Sequence, residues 1–236
     1  MVNASGRAHT RQQLSTAALR LFAEQGYAAT TVDEIAAAAG VARRTYFRYF
    51  PSKEDAVFPD HDSTVVEVSR VLESAGPHED PVAVVCRGIR EVARMYAADP
   101  VASVARYRLL REVPALRERE IAVVSRYERL FSRFLRRHPD TVDADSQDGP
   151  LLAEVAAAAV VATHNHVLRR WLRAGGDGEV LEQLDHALAV VRSSAAKGRP
   201  GPPVQRIVVS VAPADATPDE VADAVRGALE ARTVAT

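Results

Sequence analysis

Arg43 and Arg44 stand side by side at the head of a short segment, RRTYFRY, that also carries Thr45, Tyr46, Phe47 and Tyr49. Side chains of these kinds read nucleic acid. A guanidinium grips O6 and N7 of guanine with two parallel hydrogen bonds, a contact that separates the right base from the wrong one by about 1–3 kcal/mol. A threonine hydroxyl bonds a phosphate and its methyl touches thymine. Tyr46 and Phe47 flank this reading face, one at the DNA and the other half-buried. Lys53, three residues past Phe50, offers a positive charge to a phosphate.

Such groups reach base edges only if a helix carries them into the major groove, and the surrounding residues supply that helix. Thr31 and Glu34 form a capping box that opens a helix over about 32–39, with Val32, Ile35 and several alanines. Gly40 makes a tight turn, and the next helix covers about 43–50. The pair reads as a helix-turn-helix. A preceding helix over roughly 9–25 places Leu14, Ala17, Ala18, Leu21 and Phe22 on one face and stops at Gly26. Ser52 with Asp55 caps a further helix, which Pro59 interrupts. The competing interpretation is a surface hairpin with solvated arginines; cap, glycine, aromatics and lysine falling in register favour the reading helix.

The segment Gly40, Val41, Thr45, Phe47, Tyr49, Phe50 and Lys53 resembles the signature of the tetracycline-repressor (TetR) family of bacterial one-component regulators, most specifically over residues 10–56. The resemblance implies an all-α fold. A three-helix DNA-binding head precedes a helical ligand-binding and dimerisation body. It places base-reading side chains at Arg43 and Arg44, and phosphate contacts at Tyr49 and Lys53 and at the backbone N–H groups that follow. Thr31 reaches the DNA backbone as well as capping its helix. One departure is Ala42, where many relatives have a serine; alanine cannot cap a helix. Arg7 and Arg11, before the first helix, either enter a minor groove or belong to a frayed terminus.

Charge distribution agrees. The net charge is −1, yet residues 1–53 hold Arg7, Arg11, Arg20, Arg43, Arg44, Arg48 and Lys53 against Glu24, Asp33 and Glu34, a local +4 on an otherwise acidic chain. The single cysteine, Cys86, makes no internal disulfide and reads as a small buried hydrophobe. No signal segment and no charge-free apolar span are evident, so a cytoplasmic protein with no membrane partner is expected. Nucleophile elbows, phosphate loops and paired metal ligands are absent from the sequence. His164 and His166 point apart on a helix and suit no metal. Neither an enzyme, such as a small helical hydrolase, nor a cofactor is therefore expected.

Beyond the head, Asp80-Pro81, Asp99-Pro100 and Pro114 each open a helix. Helices are expected over about 80–98, from 100, from 114 to 137, over 150–174 and over 178–196. A polar loop, HPDTVDADSQDG, fills 138–149. Ten arginines against four acids over 104–137 either receive an anionic headgroup or form a solvated, salt-bridged face. Tyr96, Tyr107, Arg111, Tyr127, Phe131, His164 and Asn165 are bulky or polar where helix packing alone would accept Leu or Ala, and are the candidate ligand-binding residues. His164, Asn165 and His166 need partners from a ligand, a two-fold interface or the core. The stretch 106–120 resembles regulators of the mycofactocin-associated type, which implies an acyl-CoA-like or other small apolar effector. The resemblance also implies that the last two body helices pair with their mates in a homodimer.

The expected organisation is a head (1–56), a body (57–196) and an extension (197–236). KGRPGPP is a linker, VQRIVVSV a strand, and 218–231 an amphipathic helix. The expected function is a ligand-responsive regulator: a homodimeric repressor released from a palindromic double-stranded DNA operator by a small molecule. The alternative is a ligand-independent DNA-binding adaptor.

Overall fold

The computed structural model describes residues 4–138 and 148–198. The chain divides into two compact units, Met1–Ser193 and Ser194–Thr236. The expected strand-plus-helix extension and most of the polar loop at 138–149 lie outside the described residues, which contain helices and no strand.

Nine α-helices follow one another among the described residues: α1 (Ala4–Gln25), α2 (Val32–Ala38), α3 (Arg43–Tyr49), α4 (His61–Glu73), α5 (Pro81–Ala97), α6 (Pro100–Glu112), α7 (Pro114–Arg136), α8 (Gly149–Arg173) and α9 (Val180–Gly198). Local chemistry sets most of these boundaries. Asp80 accepts from the Val82 N–H and Asp99 from the Ala102 N–H, each just ahead of a proline at the first helical position. Thr31 and Glu34 close the expected capping box. Gly40, at φ +67°, ends α2: its N–H bonds Ala37 O and the Val41 N–H bonds Ala36 O, a crossed pair that requires a left-handed residue between them.

Two boundaries differ from expectation. The first helix begins at Ala4, so Arg7 and Arg11 lie on α1 and not in an extended arm. The helix expected after Ser52 is a single 3₁₀ turn, Glu54–Val57, and α4 begins only at His61, beyond Pro59. Proline offers no N–H and disfavours helix in the residue before it, which splits the segment.

Two hydrophobic cores result. One, built on Leu14, Ala18, Phe22, Ile35, Tyr46, Phe50 and Val57, joins α1 to α3 and takes in Leu110 and Leu116 from the α6–α7 corner. The other runs through α4, α5, α7, α8 and α9 and includes Ile89, Tyr127, Phe131, Val161, Trp171 and Leu184. Helix α8 is long and apolar enough, by length and composition, to cross a membrane. Its stripe Ala153, Ala157, Val160, Val161, His164 and Leu168 is buried in the second core, which is how a core helix packs. Cys86 is half-buried beside that core, with its thiol pushed up to about 11 by burial.

Candidate DNA-reading head and sensing chamber

Helix α3 is held by two aromatic anchors. Tyr46 and Phe50 are fully buried, with ring centroids 5.7 Å apart, and the Tyr46 hydroxyl donates to Ser52 O at 3.0 Å. Tyr46 therefore cannot reach a DNA surface. The expectation that it belongs to the reading face is corrected: the exposed aromatic of the pair is Phe47, at 44%. Five α3 side chains are left on or near the surface around it. Arg43, Arg44 and Arg48 are exposed, and Thr45 and Tyr49 are half-buried. Arg43 pairs with Asp33 of α2 and lies over the Phe47 ring at 5.5 Å; Arg48 lies over Tyr49 at 5.2 Å. No side-chain cap accompanies Ala42; its carbonyl accepts the Thr45 N–H at 2.8 Å.

Lys53 is more constrained than a free phosphate ligand. Its Nζ donates to Tyr27 O at 2.7 Å and Thr30 O at 3.0 Å, and sits 4.0 Å from the Tyr27 ring centroid. The charge remains, and one of its three N–H groups is left over. The 3₁₀ turn beside it is no anion site. Its first turn carries Glu54 and Asp55, and the Ser52 N–H is already taken by Asp55 at 3.1 Å. Thr31 is exposed, with its hydroxyl on Glu34.

Arg11 ties the head to the body. From α1 it donates to Pro59 O at 2.7 Å, to Tyr49 O at the end of α3 at 3.3 Å, and to Asp62 of α4 at 3.4 Å. Asp62 also takes Arg126 of α7 at 2.9 Å, a bond that holds its carboxyl below the usual range. Arg119 of α7 pairs with Asp55.

Next to Asp62, His61 enters the body. It is 4% exposed and bonds two tyrosines at once: Nδ1 to Tyr127 Oη at 3.2 Å and Nε2 to Tyr96 Oη at 3.3 Å. Burial, with the Arg106 and Arg126 charges behind it, pushes its pKa down to about 3. The imidazole is therefore neutral, with one nitrogen donating and the other accepting. Burial likewise raises Tyr96 to about 12 and His164 falls to about 4. These rings, with Phe58, Val161 and Asn165, border a cavity of about 20 Å³, room for roughly one water. A second cavity of about 20 Å³ lies against Tyr96, Ser103, Arg106, Tyr107, Glu120 and Asn165.

Five of the seven expected ligand residues, Tyr96, Tyr107, Tyr127, His164 and Asn165, thus meet at these two cavities. Two do not. Arg111 is exposed at the end of α6 and borders neither cavity. Phe131 is fully buried in the second core, packed where α5 passes: a Cβ on Gly88 would meet its ring at 3.1 Å. His166 is exposed while His164, two residues away, is buried. The arginine run divides similarly. Arg106 alone is buried, and the other nine of residues 104–137 are on the surface, where Arg119, Arg126 and Arg136 pair with acids. His61 does not stand out as a site residue in the sequence, and Arg106 does so only as one of the ten arginines of that run. The buried stripe His61, Thr64, Val68 and Leu72 has helical spacing, and that was the available signal for His61.

Comparison with known proteins identifies the family and the fold. Residues 14–57 match the bacterial regulatory proteins of the tetR family, and residues 79–196 match the MftR C-terminal domain. The HTH-type transcriptional regulator TcmR of Streptomyces glaucescens is 31% identical over 179 residues, which is 73% of this chain and 77% of that one. The putative mycofactocin biosynthesis regulator MftR of Mycobacterium tuberculosis is 38% identical over 68 residues, 29% of this chain and 34% of its own. In fold, the chain is similar to a putative TetR-family regulator from Syntrophomonas wolfei (TM-score 0.59, 19% identity, 79% and 95% of the two chains). It is also similar to the fatty acid degradation regulator FadR of Bacillus halodurans (0.56, 21%, 77% and 93%). The chain belongs to the TetR family, as a helix-turn-helix transcriptional regulator with a C-terminal domain of the MftR type.

Proposed function

We propose that the protein is a homodimeric repressor that leaves a palindromic operator when a small molecule enters the body. The observation that carries this is the division of α3: Tyr46 and Phe50 anchor it while Arg43, Arg44, Thr45, Phe47 and Arg48 face outward. In the major groove, Arg44, which makes no ion pair among the described residues, reads a base, and Arg43 does so on leaving Asp33. Tyr49, Thr31 and the remaining N–H of Lys53 hold phosphates. Two copies of α3 sit about 34–36 Å apart or slightly more, matching successive grooves.

The dimer seam is the outer face of α8 with α9. Leu151, Leu152, Val155 and Val190 are 47–58% exposed there, beside the exposed Ala158. Apolar side chains massed on one face of a helix pair favour a partner. A ligand between α4, α5, α7 and α8 displaces His61, and with it the start of α4. Pro59 and Asp62 then no longer hold Arg11, whose third contact is the end of α3. The ligand drives this only by binding the DNA-incompetent state more tightly. Among the structural relatives, the FadR of Bacillus subtilis holds stearoyl-CoA and SmeT holds triclosan. Both support an apolar effector here, acyl-CoA-like or smaller. The ligand-independent adaptor stays as a second reading because each cavity has room for roughly one water.

Sequencing the genomic fragments that the purified protein retains tests the DNA reading; a two-fold-symmetric consensus is expected. Fatty acyl-CoAs and polycyclic molecules are then screened for a thermal shift together with operator release. Release by none of them favours the adaptor. Ala158→Asp places a charge on the proposed seam of an otherwise folded chain and should sediment as a monomer; an unchanged dimer removes α8 from the interface.

A further inference from the structure

Arg106 is 5% exposed, and no carboxylate lies within ion-pairing distance of it among the described residues. Its Nε has no hydrogen-bond partner among the described residues. The one contact among them that favours its charge is the Tyr96 ring, with the guanidinium carbon 6.0 Å from the centroid, at the outer limit of useful cation–π attraction. A cation taken out of water without a counter-ion costs stability, and an apolar residue of the same size would serve the core better. Arg106 is among the residues that border the second cavity, so space for a counter-ion lies beside it.

The other orphan is His164 Nε2. This ring is 4% exposed, and its Nδ1 lies 3.3 Å from Asn165 Oδ1. With the Asn165 oxygen as the acceptor, the ring proton is assigned to Nδ1 and Nε2 presents a lone pair. His164 borders the first cavity, while Tyr96, Glu120, Asn165 and Leu168 border both. Glu120 is the acid that could oppose an anion here. Burial raises its pKa, favouring the neutral form, while Arg169 and Arg117 act against that shift.

We propose that the two cavities are the closed form of one site for an apolar, ring-sized hydroxy acid, whose carboxylate completes Arg106 and whose hydroxyl donates to His164 Nε2. The assignment rests on the sensing function above and narrows it: a neutral molecule would leave Arg106 without a counter-ion. The ligand opens the space by parting the side chains between the cavities, the shift in population that sensing already requires.

The test uses the full chain and three matched probes: 6-hydroxy-2-naphthoate, its carboxamide, and 2-naphthoate. Calorimetry should show the hydroxy acid binding, with the other two weaker by about tenfold or more. Arg106→Met should melt at or above the wild-type temperature and bind acid and amide alike. His164→Phe should lose the preference for the hydroxyl and keep that for the carboxylate. Equal binding of acid and amide by the wild type overturns the proposal. So does binding of none of the three at millimolar concentration, or an Arg106→Met that melts well below wild type, which would reveal a partner within the fold. Operator release separates this from sensing as such. If an acyl-CoA or a neutral molecule releases the operator from wild type and Arg106→Met equally, sensing stands and the hydroxy-acid site falls. If no molecule releases it, sensing falls.

Discussion

The head and the body differ in the buried polar atoms that they leave without a partner among the described residues. In the head, the Tyr46 hydroxyl has Ser52 O, the Thr30 hydroxyl has Gly26 O at 2.8 Å, and the Lys53 ammonium has two carbonyls. In the body, two buried side-chain atoms lack a partner among the described residues, Arg106 Nε and His164 Nε2, and both residues border cavities. Fully satisfied networks hold one geometry, whereas a buried polar atom without a partner costs stability. The contrast is what the proposed sensing body predicts.

Removing the head's anchor should have the largest effect. Tyr46→Ala empties a fully buried aromatic site and should cost about 3–5 kcal/mol, enough to melt the head and abolish DNA binding. Tyr46→Phe loses only the bond to Ser52 O, about 1 kcal/mol, and should still bind. Thermal melts with DNA titrations decide it; a Tyr46→Ala variant that binds normally would break the picture of a rigid head.

Acid should act on the body. His61 and His164 have folded pKa values of about 3 and about 4, below the ordinary histidine value, so the unfolded chain binds more protons between those values and about 6.5. Their contribution is fully present above about pH 6.5 and is lost as pH falls through that window. Glu120, raised by burial, works the other way, its contribution fading as pH rises past its folded pKa. Denaturant melts from pH 7 to 4 should show declining stability, and His61→Gln should flatten that slope. An unchanged slope would mean that His61 titrates normally and is not held neutral.

Smaller effects refine the reading surface. Arg44→Ala, at an exposed position, should leave the melting temperature unchanged and lose about 1–3 kcal/mol of discrimination at one base per half-site. Lys53→Met should cost about 1 kcal/mol of stability without DNA, because two carbonyls lose their donor. It should also weaken all DNA sequences alike and flatten the salt dependence by about one unit. A change in base preference would make Lys53 a reader and not a clamp.

Legibility differed in the same way between the two regions. The Thr31–Glu34 box, Gly40, Asp80-Pro81 and Asp99-Pro100 act over a few residues of chain, and each appeared where expected. Tyr46 and Phe47 are neighbours in sequence whose side chains point about 100° apart on a helix. Which of them turns inward depends on where α1 docks. His61 falls two residues past the interrupting Pro59, between two aspartates, and Arg106 was hidden among nine other arginines. Only packing separates one buried guanidinium from its exposed neighbours.

The sequence by itself determined most of the helix boundaries, the helix-turn-helix and the family, because capping, glycine turns and apolar spacing are local signals that survive without a fold. Tertiary structure alone decided which aromatic anchors α3, that Lys53 is committed to Tyr27 O and Thr30 O, and that His61 meets Tyr96 and Tyr127 across gaps of 35 and 66 residues. It also decided that Phe131 is packing and Arg111 surface, while Arg106 faces a cavity. Burial and partnership belong to pairs of distant residues, and a side chain's charge takes its meaning from whatever the fold sets beside it.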